Sequence, residues 1–228
     1  MRTRNIFILF TMLALHLSAC TDIEDGTTDI DSWPAINEYT LAHPCMLHTA
    51  ADLSYVASKL TVAPWSEGYD KLKNSGYSYA GYVPTPQEVL GRMDQGNWAS
   101  KFPEWWNNYT YFYKDAAAAY QLALRWKLEG DVACGQTAVK ILNAWAETCK
   151  GLVRVKSLAN DRTYDANGEI ADPNEYLISI NVHQMANAAE IMRTDETLFT
   201  KAQLSAFQTM MKNVFYPAAS DFLAHKEA

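Results

Sequence analysis

The chain is 228 residues long, 49% of them apolar and 12% aromatic, enough for one sizeable core or two small domains. A formal net charge of −7 excludes nucleic acid and an anionic membrane surface as natural partners, and admits a polyanionic substrate only where local positive charge outweighs the background. The 7 Trp and 13 Tyr suit sugar binding, because flat aromatic faces stack on pyranose rings, and they equally suit the filling of a helical core.

Residues 1–19 carry Arg2 and Arg4, then an apolar run, then small residues, which is the pattern of a secretory signal and too short for a membrane-spanning helix. The end of that stretch, Leu17-Ser18-Ala19-Cys20, resembles the lipobox of bacterial lipoproteins. That resemblance implies cleavage before Cys20, its diacylation, and an outer-membrane lipoprotein of the cell envelope, periplasmic or surface-exposed, touching the membrane only through its lipid. A plain signal-peptidase site is the alternative. Without Arg2 and Arg4 the net charge moves from −7 to about −9. Residues 20–42 are acidic and turn-rich and read as a flexible tether, leaving 43–228 for the domain. Acidic residues just after the cysteine also resemble the surface-export signals of certain bacterial lipoproteins. Cys45, Cys134 and Cys149 remain, an odd number, so at most one disulfide forms.

Thr49 is placed to cap a helix beginning at Ala50, with Asp52 near its positive end. A second short helix is expected from Trp65, closed by Gly76. The next thirty or so residues are rich in Pro and Gly, a long loop whose Tyr, Trp and Arg content argues against disorder. The clearest helix follows in YFYKDAAAAYQLALRWKLEGD, where Ala116, Ala119, Tyr120, Ala123 and Trp126 share a face. VACGQTAVKILNAWAETCKGL answers it with Ala138, Ile141, Leu142, Trp145 and Cys149. Only Glu129-Gly130-Asp131 joins the two, so they must form an antiparallel hairpin, with Ala116 to Ala119 allowing close approach. After a polar loop over 156–174, helices are expected over 176–193 and 201–216, the last ended by Pro217. No alternating strand pattern stands out, and the chain reads as all-α.

Within the fifth of these helices His183, Asn187 and Glu190 fall within about 60° of one another, with Gln184 about 60° further round. Short amides and an imidazole hold a fixed geometry when packed, which suits the wall of a groove; it also suits hydrogen bonding to backbone or a neighbouring helix. His183 and Glu190, seven apart, supply too few strong ligands for a metal site.

In order, AAAAYQLALRWKLEGD, AVKILNAWAETCKGL, HQMANAAEIMR and FQTMMKNVFYP resemble the alginate-lyase-like polysaccharide lyases, and YVPTPQEVLGRMDQGN is similar to the segment preceding them in that family. The likeness covers roughly residues 43–223. It implies an (α/α) toroid, complete or incomplete, with a groove for a uronic-acid polymer such as alginate, cleaved by β-elimination without metal or organic cofactor. In such lyases one group neutralises the C5 carboxylate, a base removes the C5 proton and an acid protonates the departing O4. The resemblance offers Arg92 for a bidentate grip on a substrate carboxylate, Gln184 and Asn187 as groove residues, and His183 where the family has an aromatic. Trp105, Trp106, Tyr109 and Tyr111 are candidate stacking platforms. In the family the segment after FYP runs on into an Asn- and His-bearing motif with the catalytic Tyr beyond it. This chain stops at DFLAHKEA, with His225 close to where that motif begins, so the resemblance implies the N-terminal part of a lyase and assigns no catalytic residue. A non-catalytic, cell-surface glycan-binding lipoprotein fits the lipobox, helices and aromatics as well.

Overall fold

A computed structural model describes residues 41–91, 108–152 and 179–224. The first helix, α1 (Ala50–Ala57), starts where Thr49 predicts. The Thr49 hydroxyl accepts the Asp52 amide hydrogen while the Asp52 carboxylate accepts from the Thr49 amide, a reciprocal capping box. α2 (Trp65–Lys73) ends at Asn74, not at Gly76 as expected. The Asn74 and Ser75 amides take the last free carbonyls, those of Asp70 and Leu72, so no left-handed glycine is required.

The chain then passes through turns to the two-residue strand β1 (Val89–Leu90), which pairs in parallel with β2 (Gly151–Leu152), Val89 opposite Gly151 and Leu90 opposite Leu152. So short a pair has no periodicity to read, and no strand was expected here. Asn108 holds it in place. Its side-chain oxygen accepts the Gly91 amide at 2.9 Å and its nitrogen donates to the Val89 carbonyl at 2.9 Å.

The hairpin forms as its apolar spacing predicts. α3 (Tyr109–Glu129) and α4 (Val132–Thr148) reverse through Gly130, whose φ of 77° is the left-handed region that favours glycine. Asp131 caps α4 by accepting the Cys134 amide hydrogen. Arg125 ties the corner down, reaching Glu129, Asp131 and the Ser78 carbonyl. The two helices approach closely where Gly135 faces Trp126. A Cβ at 135 would lie 2.7 Å from Trp126 Cδ1 and 2.8 Å from Cγ, near the root of the ring where little can swing aside. Gly135→Ala is therefore expected to destabilise the fold, an overpacking cost of about 1–3 kcal/mol outweighing a helix-propensity gain of at most about 1 kcal/mol. The midpoint of urea unfolding checks this.

After a 3₁₀ turn at Ser179–Asn181 comes α5 (Val182–Met192), shorter than expected because its entry is 3₁₀ and not α. α6 (Lys201–Met210) is capped by a Thr200–Gln203 capping box. Pro217 does not end this helix. A π turn over Met211–Phe215, closed by the Tyr216 amide on the Met211 carbonyl, leads into α7 (Tyr216–Ala224), which places Pro217 in the first turn of that segment.

The described residues from Ala42 onward form one unit, dominated by helices and all-α in class. α3 lies at its centre, packed on α1, α4 and α5, while α4 also packs on α6. Phe112 of α3 stacks on Phe215 (4.8 Å between centroids) and meets Trp145 of α4 edge-on (5.1 Å). Ala116, Ala118, Ala119, Ala138, Ile141, Leu142 and Met185 complete a fully buried apolar core around them. Cys45, Cys134 and Cys149 are all free thiols, and burial pushes the last two up to about 12 and about 11.

Asp115 of α3 is a carboxylate set within this core. Asp115 has no exposed surface and accepts three strong hydrogen bonds, each of 2.7 Å, from the Tyr82 hydroxyl, the Thr85 amide and the Trp145 indole nitrogen. Asp115 thereby fastens the 82–85 segment to both helices of the hairpin.

Candidate functional site

The polar stripe of α5 meets residues 43–48, the segment that leads into α1, which we call the strap. Asn187 is 5% exposed, and both of its polar atoms are engaged. Its oxygen accepts the Leu47 amide hydrogen at 3.1 Å and its nitrogen donates to the His183 carbonyl at 2.7 Å. One turn on, Glu190 Oε1 accepts the Cys45 amide hydrogen at 2.9 Å, lies 2.5 Å from His43 Nδ1, and takes the Cys45 thiol at 3.3 Å. Arg193 approaches Oε2 at 3.3 Å. The stripe thus supplies an irregular backbone segment with the partners it lacks by not being helix or strand.

Burial alone would raise the Glu190 pKa, but hydrogen bonds from His43, the Cys45 amide and thiol, and Arg193 overcome it and hold the carboxyl below its ordinary value of 4.5. The sign follows from linkage. A folded-state pKa below the unfolded one gives stability that is present above the unfolded value and lost as pH falls through the folded one. Wild-type protein is therefore expected to lose melting temperature below about pH 4.5 more steeply than Glu190→Gln. Melting curves taken between pH 3 and 7 (roughly the span over which a carboxyl titrates) compare the two. The Cys45 thiol is raised, first by its bond to Glu190, so it is a hydrogen-bond donor here and not a thiolate nucleophile.

The strap ends in a second constellation. His48 Nε2 is hydrogen-bonded to the Tyr120 hydroxyl, with the two rings stacked 5.8 Å apart and both residues half-buried. Burial lowers the His48 pKa, opposed by Asp52, and burial raises that of Tyr120. At neutral pH the pair is a neutral imidazole beside an intact phenol, a proton acceptor and a proton donor in contact. Thr49 fixes the approach, since the residue after His48 is the cap of α1.

Of the residues the sequence singles out, Arg92, Trp105, Trp106 and Cys20 lie outside the described residues, as does His225. His183 is exposed with Nδ1 at 2.9 Å from the Ile180 carbonyl, and Gln184 donates to Asn181 at 3.1 Å. Tyr109 opens α3 with its ring edge-on to Tyr113 at 5.0 Å, and Tyr111 is 42% exposed. His43, Cys45, His48, Tyr120 and Asp115 escape sequence reasoning. The signal for the first three was the density of His and Cys in HPCMLH, and for Asp115 a lone acid inside an apolar helix face. No family model matches the chain, and neither a curated protein nor a solved structure does.

Proposed function

We propose that this chain acts on a uronic-acid polymer, alginate or a related polyuronate, by β-elimination, as part of an alginate-lyase-like (α/α) toroid, with His48 and Tyr120 handling the protons. The observation that carries this reading is the pair itself, a neutral imidazole and a protonated phenol in contact and half-exposed. His48 takes the C5 proton of the uronate, and Tyr120 gives its phenolic proton to the departing O4 as the C4–O4 bond breaks. The proton on His48 then crosses their mutual hydrogen bond and restores the phenol. The net change is loss of C5–H, gain of O4–H and a new C4–C5 double bond. Arg92, on the segment that the resemblance aligns with the family's loop, neutralises the C5 carboxylate. The exposed His183 and the half-buried Gln184 lie on α5, the helix that holds the strap, and are available to sugar hydroxyls. The reading carries with it a cell-envelope location on a Cys20 lipid anchor.

The second reading, a glycan-binding lipoprotein without catalysis, draws on the exposed aromatic corner where Tyr55 (54% exposed) meets Trp65 (40% exposed) edge-on. That corner offers faces for sugar stacking away from any proton-transfer pair. Affinity electrophoresis through gels containing alginate, with Trp65→Ala and Tyr120→Phe run in parallel, separates the two. The lyase reading expects retardation that survives Trp65→Ala; retardation lost with Trp65→Ala, and no unsaturated product, supports the binding module.

A further inference from the structure

Glu190 gathers donor atoms of three chemical kinds. His43 Nδ1, Cys45 Sγ and Glu190 Oε1 all lie within 4.8 Å of one another. The sulfur stands 3.4 Å from Nδ1 and 3.3 Å from Oε1, and the nitrogen and oxygen are 2.5 Å apart. In a tetrahedral zinc site, with Zn–S about 2.3 Å and Zn–N or Zn–O about 2.0–2.1 Å, neighbouring ligand atoms are about 3.3–3.6 Å apart. A sulfur edge of such a site is about 3.5–3.6 Å and a nitrogen–oxygen edge about 3.3–3.4 Å, so each sulfur edge needs only about 0.1–0.3 Å more. The third edge must open by about 0.8 Å to reach the same range. The strap supplies that movement, since His43 belongs to an irregular segment and its side chain is 27% exposed, whereas Glu190 is fixed within α5 at 9%.

We propose that His43, Cys45 and Glu190 form a zinc-binding site that locks the strap to α5, with a fourth position open to solvent beside the exposed Cys45. The proposal is independent of the lyase reading and holds whether or not the chain eliminates. One thiolate, one imidazole and one carboxylate suit zinc or cobalt, and disfavour magnesium or calcium, which demand oxygen ligands. Binding forms a metal–sulfur bond and releases the thiol proton to solvent. Glu190 Oε2 retains Arg193, and Oε1 keeps a lone pair for the Cys45 amide, so the carboxylate stays oriented while it coordinates. His183, which the sequence pairs with Glu190, takes no part; it is exposed and turned to the Ile180 carbonyl.

Titrating the full chain with Co²⁺ tests this directly. The expected result is a thiolate-to-cobalt charge-transfer band with visible bands of tetrahedral intensity, saturating at one equivalent and bleached by Zn²⁺. Cys45→Ser is expected to abolish the charge-transfer band, and Cys134→Ser to leave it unchanged. Zn²⁺ is further expected to raise the melting temperature of the wild type but not of His43→Ala, which keeps the test independent of any one variant's folding. Absence of the band, a band that survives Cys45→Ser, or a zinc-induced rise in melting temperature that His43→Ala retains overturns the site and leaves a hydrogen-bonded triad.

Discussion

Asp115→Ala is expected to cost about 3–5 kcal/mol of folding stability, a large part of the roughly 5–15 kcal/mol that an ordinary domain has. The substitution strands the buried indole N–H of Trp145 and takes the acceptor from the half-buried Tyr82 hydroxyl and the Thr85 amide at the edge of the core, and each orphan that water does not reach costs about 1–3 kcal/mol. The three donors come from two different parts of the chain, the 82–85 segment and α4, so the loss reaches beyond one helix. Asp115→Asn keeps an acceptor oxygen but turns an amide toward groups that themselves donate, so its cost is expected to be smaller than that of alanine. Circular dichroism during urea unfolding measures both. Burial raises the Asp115 pKa against the pull of its donors. A folded-state value above the unfolded one gives stability that is complete below the ordinary carboxyl range and is lost as pH rises through the folded value, the reverse of Glu190.

The largest effect on activity is expected at the strap's end. In the proposed elimination, Tyr120→Phe removes the proton given to O4, and His48→Ala removes the acceptor for the C5 proton. Each is expected to lower the elimination rate by about 10²–10⁴-fold, while Tyr120→Phe leaves the melting temperature close to wild type because only a half-buried hydroxyl is lost. The pH profile of the wild type follows from the two shifts. Activity rises as His48 becomes neutral, at a pH below the ordinary imidazole range, and falls as Tyr120 ionises, above the ordinary phenol range. The plateau between them is therefore wider than an unperturbed pair gives. Steady-state rates across that range, for wild type and both variants, check this.

Local chemistry was legible in the sequence and distant chemistry was not. The Thr49 cap, the α3–α4 reversal at Gly130 and the apolar faces of the hairpin are each written within a few residues, and spacing alone recovers them. Pro217 misled because a proline reads as a stop unless a π turn resets the hydrogen-bond register before it. Gly76 misled because backbone amides from Asn74 onward had already closed α2. The stripe of α5 was visible, but its partners lie about 140 residues away, Leu47 140 from Asn187 and Cys45 145 from Glu190, and no periodicity encodes such a pairing. The same holds for His48 and Tyr120, 72 residues apart. Helical spacing defines hairpins and carries nothing about how they close on one another.

The most direct measurement is the ultraviolet absorbance of unsaturated uronate during incubation of the purified chain with alginate and other polyuronates. The account predicts a rise with wild-type protein, reduced to near background by Tyr120→Phe and abolished by Arg92→Ala. Folded wild-type protein that gives no rise with any polyuronate, or a rise that Tyr120→Phe leaves intact, contradicts it.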